Sequence, residues 1–218
     1  MKQNINIQEE NSDLPMREKA ELALDGKNFE FLRNIDEDRC LEVKKILLND
    51  LEFIMTLNIG DLIEAFNDFF SMVMSGDIVI YVLPNLESRA AGFTTRNLEP
   101  ILFEKLKIIN QWEKEPQAML LLNESSIKEG DLFLITLVHE IGGHFLGWRK
   151  NKLKKNLPDE EIRAILETTK WYVKIKIKYP EISHPLYEAI LKLAQQERPP
   201  KIIRDFIDSV VKSEWSYS

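Results

Sequence analysis

The chain is poor in the residues that most often build covalent staples and metal scaffolds. It has a single cysteine, Cys40, among 218 residues. An intramolecular disulfide is therefore excluded, and so is a cysteine-based zinc site; any zinc has to be held by His, Asp and Glu. Histidine is scarce too, with only His139, His144 and His184 in the chain. No apolar run approaches the roughly twenty residues that cross a bilayer. The N-terminal residues turn acidic at Glu9, Glu10 and Asp13 and lack the apolar core of a signal peptide. The expectation is a cytoplasmic protein with no membrane partner. Positive charge is in deficit: the formal net charge is -7, which argues against nucleic acid as a partner. There is no internal repeat and no low-complexity tract.

What is present suits a globular domain. Hydrophobic residues make up 44% and charged residues 30%, and a chain of this length can bury a sizeable core without staples. Residues 1–36 read as a polar N-terminal tail with a short helix at 16–25. Residues 37–218 read as one domain, with N-terminal helices in 37–76, a sheet and a buried helix in 77–148, and a helical part in 149–218. Within it, Leu41, Ile46, Leu47, Leu51, Ile54 and Met55 mark one apolar helical face over 38–58. Asp61 is placed to cap a second helix, which Gly76 ends. Asp77–Leu83 is β-branched and aromatic and reads as a strand, as do 90–95 and the apolar run 117–123. Residues 98–112 return to helical spacing. A helix opening at Gly130-Asp131 is apolar on nearly every side and must be buried. Further helices are expected at 159–177, 184–197 and 200–213, punctuated by Pro180, Pro185 and Pro199-Pro200. The fold class expected is α+β: a small twisted sheet packed on the buried helix, flanked by N-terminal and C-terminal helices.

Two of the three histidines fall within six residues, His139-Glu140-Ile141-Gly142-Gly143-His144, at the end of that apolar helix. Burying two imidazoles and a carboxylate there is costly unless they are paired or bound to a metal. In the familiar His-Glu-x-x-His arrangement the two imidazoles lie four residues apart on one helical face, hold one zinc, and leave the glutamate to move protons. Here three residues separate Glu140 from His144. On a regular α-helix the two histidines would then point about 140° apart and could not chelate one ion. Gly142-Gly143 stands where a distortion is needed. Two glycines weaken the helix by roughly 1 kcal/mol each relative to Ala and permit a π-bulge that absorbs the extra residue; ending the helix at Gly142 would serve as well.

Residues 90–164 resemble the core of a zincin metallopeptidase of the kind whose third ligand is a glutamate, the gluzincins. The longer His-Glu-x-x-x-His spacing is similar to that of the microtubule-associated tyrosine carboxypeptidases and their bacterial relatives. In those relatives the metal-binding glutamate opens a Glu-x-x-Ala segment on the next helix, which Glu161-Ile162-Arg163-Ala164 matches, 17 residues after His144. The resemblance covers about a third of the chain. It implies that His139, His144 and Glu161 bind Zn2+ and that Glu140 is the general base. The implied activity is a zinc-dependent peptidase that hydrolyses an amide bond of a peptide or protein through a metal-activated water. It also implies a substrate-pairing role for the strand 117–123, around Met119, Leu120 and Leu121, although an unbroken apolar run fits a buried core strand equally well.

Several residues keep alternative readings. Glu160 and Glu167 are rival third ligands, and Glu161 has a sufficient role as a first-turn acid favoured by the helix dipole. Glu140 and His144, four apart, could themselves be the helix ligands. His184, Tyr172, Tyr179 and Tyr187 are candidates for stabilising a transition-state oxyanion, and His184 equally suits a surface or capping position. The basic run Arg149–Lys155 suits a solvated helix end or a patch for an acidic peptide or a C-terminal carboxylate. Cys40 reads as a core residue. The alternative to an enzyme is a non-catalytic binding or regulatory module of zincin-like fold, with or without zinc.

Overall fold

A computed structural model describes residues 14–32, 36–84, 91–110, 112, 114–151, 157–195 and 201. In chain order they form helix α1 (Met16–Asp25), strand β1 (Phe29–Phe31), helices α2 (Glu37–Leu57) and α3 (Gly60–Met74), and strands β2 (Ile78–Leu83) and β3 (Ala91–Thr95). Helix α4 (Pro100–Asn110), strand β4 (Ala118–Asn123) and a 3-10 turn at Ser126–Lys128 follow. The chain then runs through α5 (Asp131–Leu137), a π-helical segment (Val138–Phe145), α6 (Leu146–Asn151), α7 (Leu157–Lys178) and α8 (Pro185–Ala194). The fold is α+β, with the expected small sheet between N-terminal and C-terminal helices. The helix expected at 200–213 lies outside the described residues apart from 201. Among the described residues no helix is long and apolar enough to cross a membrane.

Local sequence explains the helix ends. Asp36 caps α2 by accepting from the Arg39 N–H at 2.7 Å. Asn58 closes α2 in the left-handed region at φ 55°, a conformation asparagine tolerates. Helix α3 then begins at Gly60, so Asp61 lies in its first turn and not at the cap. Gly130 turns the chain into α5 at φ 58°, where a side chain would be strained.

The sheet order is β1-β2-β4-β3, with β1, β2 and β4 parallel and β3 antiparallel to β4. Alternation sorts the side chains. Ile78, Ile80 and Val82 of β2 and Ala118, Leu120 and Leu122 of β4 enter the main core with α1, α2, α3, the π segment and α7. Val79, Tyr81 and Met119 face a smaller core under α4, with Phe103 and Leu106. Covering on both faces is why β2 and β4 read as unbroken apolar runs.

Two further expectations are corrected. The polar tail is shorter than 1–36: Met16, Ala20, Ala23 and Leu24 of α1 are buried in the main core, and Phe29–Phe31 pairs with Ile80–Val82. A stripe half built from alanine and a three-residue strand are too faint for periodicity to register. Strand β4 is not a free edge: Met119, Leu120 and Leu121 are bonded to β2 on one side and β3 on the other, so they cannot receive an added strand. Among the described residues the edge on that side is β3.

Asp50 on α2 is a stored cost. Burial, helped by the nearby Asp131 carboxylate, pushes its pKa up to about 7. The folded chain thus holds a proton that the unfolded chain releases at about pH 4, and stability falls as pH rises from about 4 to 7. Asp50→Asn should raise stability at pH 8 by on the order of 1–3 kcal/mol, and the gain should fade near pH 4. Equal gains at both pH values in denaturant titrations would contradict this account of Asp50.

Candidate metal centre

The π segment resolves the spacing problem set by His139-Glu140-Ile141-Gly142-Gly143-His144. Bonding from i to i+5 widens each turn beyond the 3.6 residues of an α-helix, so residues five apart come to share a face. The rings of His139 and His144 lie 4.8 Å apart at 87°, both on the face toward α7. Their Nε2 atoms reach different oxygens of Glu161: His139 Nε2 is 3.4 Å from Oε1 and His144 Nε2 is 3.1 Å from Oε2. The ligating atoms of these three residues fall within 4.8 Å of one another, so the group could hold a metal ion.

The glycines explain how α7 comes close enough. A Cβ on Gly142 would overlap the Trp171 ring, and one on Gly143 would stand 3.0 Å from both the Cβ and the carbonyl oxygen of Ala164. Ala164 is fully buried one turn after Glu161. The Glu-x-x-Ala spacing thus has a steric reason: the alanine seats against Gly143 while the glutamate, on the same face of α7, reaches the imidazoles. Arg163 adds a strap, donating to the Gly143 carbonyl at 3.3 Å.

The rival ligands are engaged elsewhere. Glu160 is buried and accepts from Arg163 Nη2 at 2.7 Å and Nε at 3.1 Å. Glu167 is paired with Lys170 at 2.9 Å. Glu140 lies outside that group of three; its Oε2 accepts from the Phe93 N–H of β3 at 2.6 Å. That N–H faces away from the sheet. Arg96, three residues on, donates inward to the Gln117 carbonyl, and in an antiparallel ladder the direction alternates. The Phe93 ring packs edge-on against Phe145 and tilted against Trp148, which fixes the edge strand against the π segment.

The charges reinforce the geometry. The adjoining His139 and His144 imidazoles hold the Glu161 carboxyl well below the usual carboxylate range. Burial pulls the His144 pKa down, but Glu161 and, behind it, Glu140 outweigh that and leave it raised. A cavity of about 640 Å³ opens in front, lined among others by Gly92, Phe93, Leu98, Glu140, His184 and Leu186.

The four oxyanion-stabiliser candidates separate clearly. Tyr172 is buried and bonded to Glu188 (2.6 Å) and the His184 N–H (3.0 Å), and burial pushes its pKa up to about 12. Tyr179 packs on Phe53 with its hydroxyl near Thr56. Neither lines the cavity. Tyr187 does, but its hydroxyl is 2.9 Å from His139 Nδ1; burial drives its pKa above the ordinary phenol range. His184 lines the cavity with its buried Nδ1 unpaired among the described residues; burial, then the nearby His139, lowers its pKa. Of the basic run, Arg149 pairs with Asp68 and lines a different cavity, and 152–155 lie outside the described residues. Cys40 is a partly buried residue of α2. Comparison of the chain with protein-family models, with curated proteins and with solved structures finds no match.

The close approach at Gly142 is testable. Gly142→Ala should destabilise the protein by about 1–3 kcal/mol in denaturant unfolding, even though alanine favours a helix. The penalty should shrink in a Trp171→Ala background. A Gly142→Ala protein as stable as the wild type would show that the contact with α7 is not what demands the glycine.

Proposed function

We propose that the chain is a zinc-dependent peptidase of gluzincin type, acting on an amide bond of a peptide or protein. The observation that carries this reading is the convergence of His139, His144 and Glu161 across a π-helical turn, beside the Glu140 carboxylate and an open cavity. Two imidazoles and a carboxylate are a donor set that suits zinc, and three protein donors are the number that catalytic zinc sites keep. A zinc ion held there supplies Lewis acidity, lowering the pKa of a water and polarising a carbonyl.

The remaining roles belong to the chain. Glu140 lines the cavity, and its bond from the Phe93 N–H aims the carboxylate that would take and return a proton. His184 lines the cavity, where its imidazole could donate to a developing oxyanion. Strand β3 borders the same cavity through Ala91, Gly92 and Phe93, with the Phe93 N–H committed to Glu140.

Metal analysis and activity measured together test the reading. The purified protein should carry one zinc per chain. Glu140→Gln should retain it and lose activity on a peptide library by roughly 10²–10⁴-fold. His184→Ala should also keep zinc and lose roughly 10²–10³-fold in kcat. Activity that survives Glu140→Gln would sink the mechanism. Bound zinc with no hydrolysis of any peptide would instead favour a binding module. Failure to bind zinc, with melting unchanged by chelation, would remove both.

A further inference from the structure

An imidazole has two nitrogens, and a metal ligand can offer a lone pair from only one that carries no proton. His139 directs Nε2 toward Glu161, the side it shares with His144. Its Nδ1 faces the other way, 2.9 Å from the Tyr187 hydroxyl. We infer that Tyr187 is the positioning residue that fixes the tautomer and ring angle of His139: Nδ1–H donates to the phenol oxygen, which leaves Nε2 free for the ion. This rests on the metal reading above.

The surroundings suit a fixed partner and not an adaptable one. Tyr187 is 1% exposed. Its ring is 5.3 Å from that of Tyr172 and 5.0 Å from that of His184. It stands in the first turn of α8, just after Pro185, and that turn is tied to α7 through the Tyr172 hydroxyl, which bonds Glu188 and the His184 N–H. The hydroxyl therefore has little freedom to leave His139. Thr168 Oγ1 lies 3.4 Å from the same Nδ1 and is the poorer partner. Metal-ligating histidines usually donate their second N–H to a carboxylate, a backbone carbonyl or a water. A neutral phenol orients the ring equally well and adds no further negative charge beside Glu140 and Glu161. The consequence is that α8, contributed from beyond the ligand-bearing helix, is part of the metal centre.

Tyr187→Phe removes the oxygen and keeps the ring packing. In chelator competition the variant should bind zinc about 10–100-fold more weakly than the wild type, while the metal-stripped proteins unfold at similar denaturant concentration. The stabilisation produced by added zinc should shrink correspondingly. A second measurement needs no variant: nitrogen-15 NMR of the zinc-loaded wild type should show His139 protonated at Nδ1, with that proton protected from exchange. Wild-type zinc affinity in Tyr187→Phe, or a proton found on Nε2, would overturn the role of Tyr187 and leave the metal site standing. A wild-type protein that binds no zinc would overturn the metal site and this role together.

Discussion

Everything about the candidate centre depends on one spacing: four residues separate His139 from His144, and a regular α-helix turns residues five positions apart to different sides. The buried helix answers by continuing as a π segment over Val138–Phe145. A π turn is a poorer helix than an α turn and occurs mostly as short bulges at functional sites. Its persistence here depends on what the surrounding structure supplies. On one side Phe145 packs on Phe69 and Phe93; on the other, α7 lies against Gly142 and Gly143 with almost no room to spare.

That close approach links the steric and chemical halves of the site. The glycines that loosen the helix also let Ala164 and Trp171 of α7 touch its backbone. The same contact delivers Glu161 to both imidazoles. The two buried carboxylates beside it are separately answered, Glu160 by Arg163 and Glu140 by the Phe93 N–H. Burying two carboxylates and partly burying two imidazoles beside the exposed Glu161 is tolerable only because each has a defined partner. The proposed peptidase chemistry uses this sorting: one carboxylate with the imidazoles, one aimed at the cavity, one neutralised.

The parts of this arrangement legible in the sequence are those encoded locally. The alternation of helical and β-branched segments, the apolar helix opening at Gly130, and the misfit of the His139–His144 spacing all lie within short windows. So does the glycine pair that relieves it. Strand order does not. Strands β2 and β4 read alike because both are covered on both faces, and nothing local says that β3 and not β4 forms the edge. Glu161 could be named only by resemblance; its advantage over Glu160 and Glu167 lies in where Arg163 and Lys170 stand. Phe93 and Tyr187 were out of reach as partners of the motif, being 47 and 48 residues from the groups they bond. The faint core stripe of α1 was missed for a different reason: two alanines carry half of its four apolar positions.

The most direct measurement is anomalous diffraction at the zinc absorption edge from crystals of the full chain grown with zinc. The account predicts a single strong peak bounded by His139 Nε2, His144 Nε2 and the Glu161 carboxylate, with the helix in π geometry between the two histidines. A peak at other residues, or a regular α-helix through His144 with the two imidazoles on different faces, would contradict it.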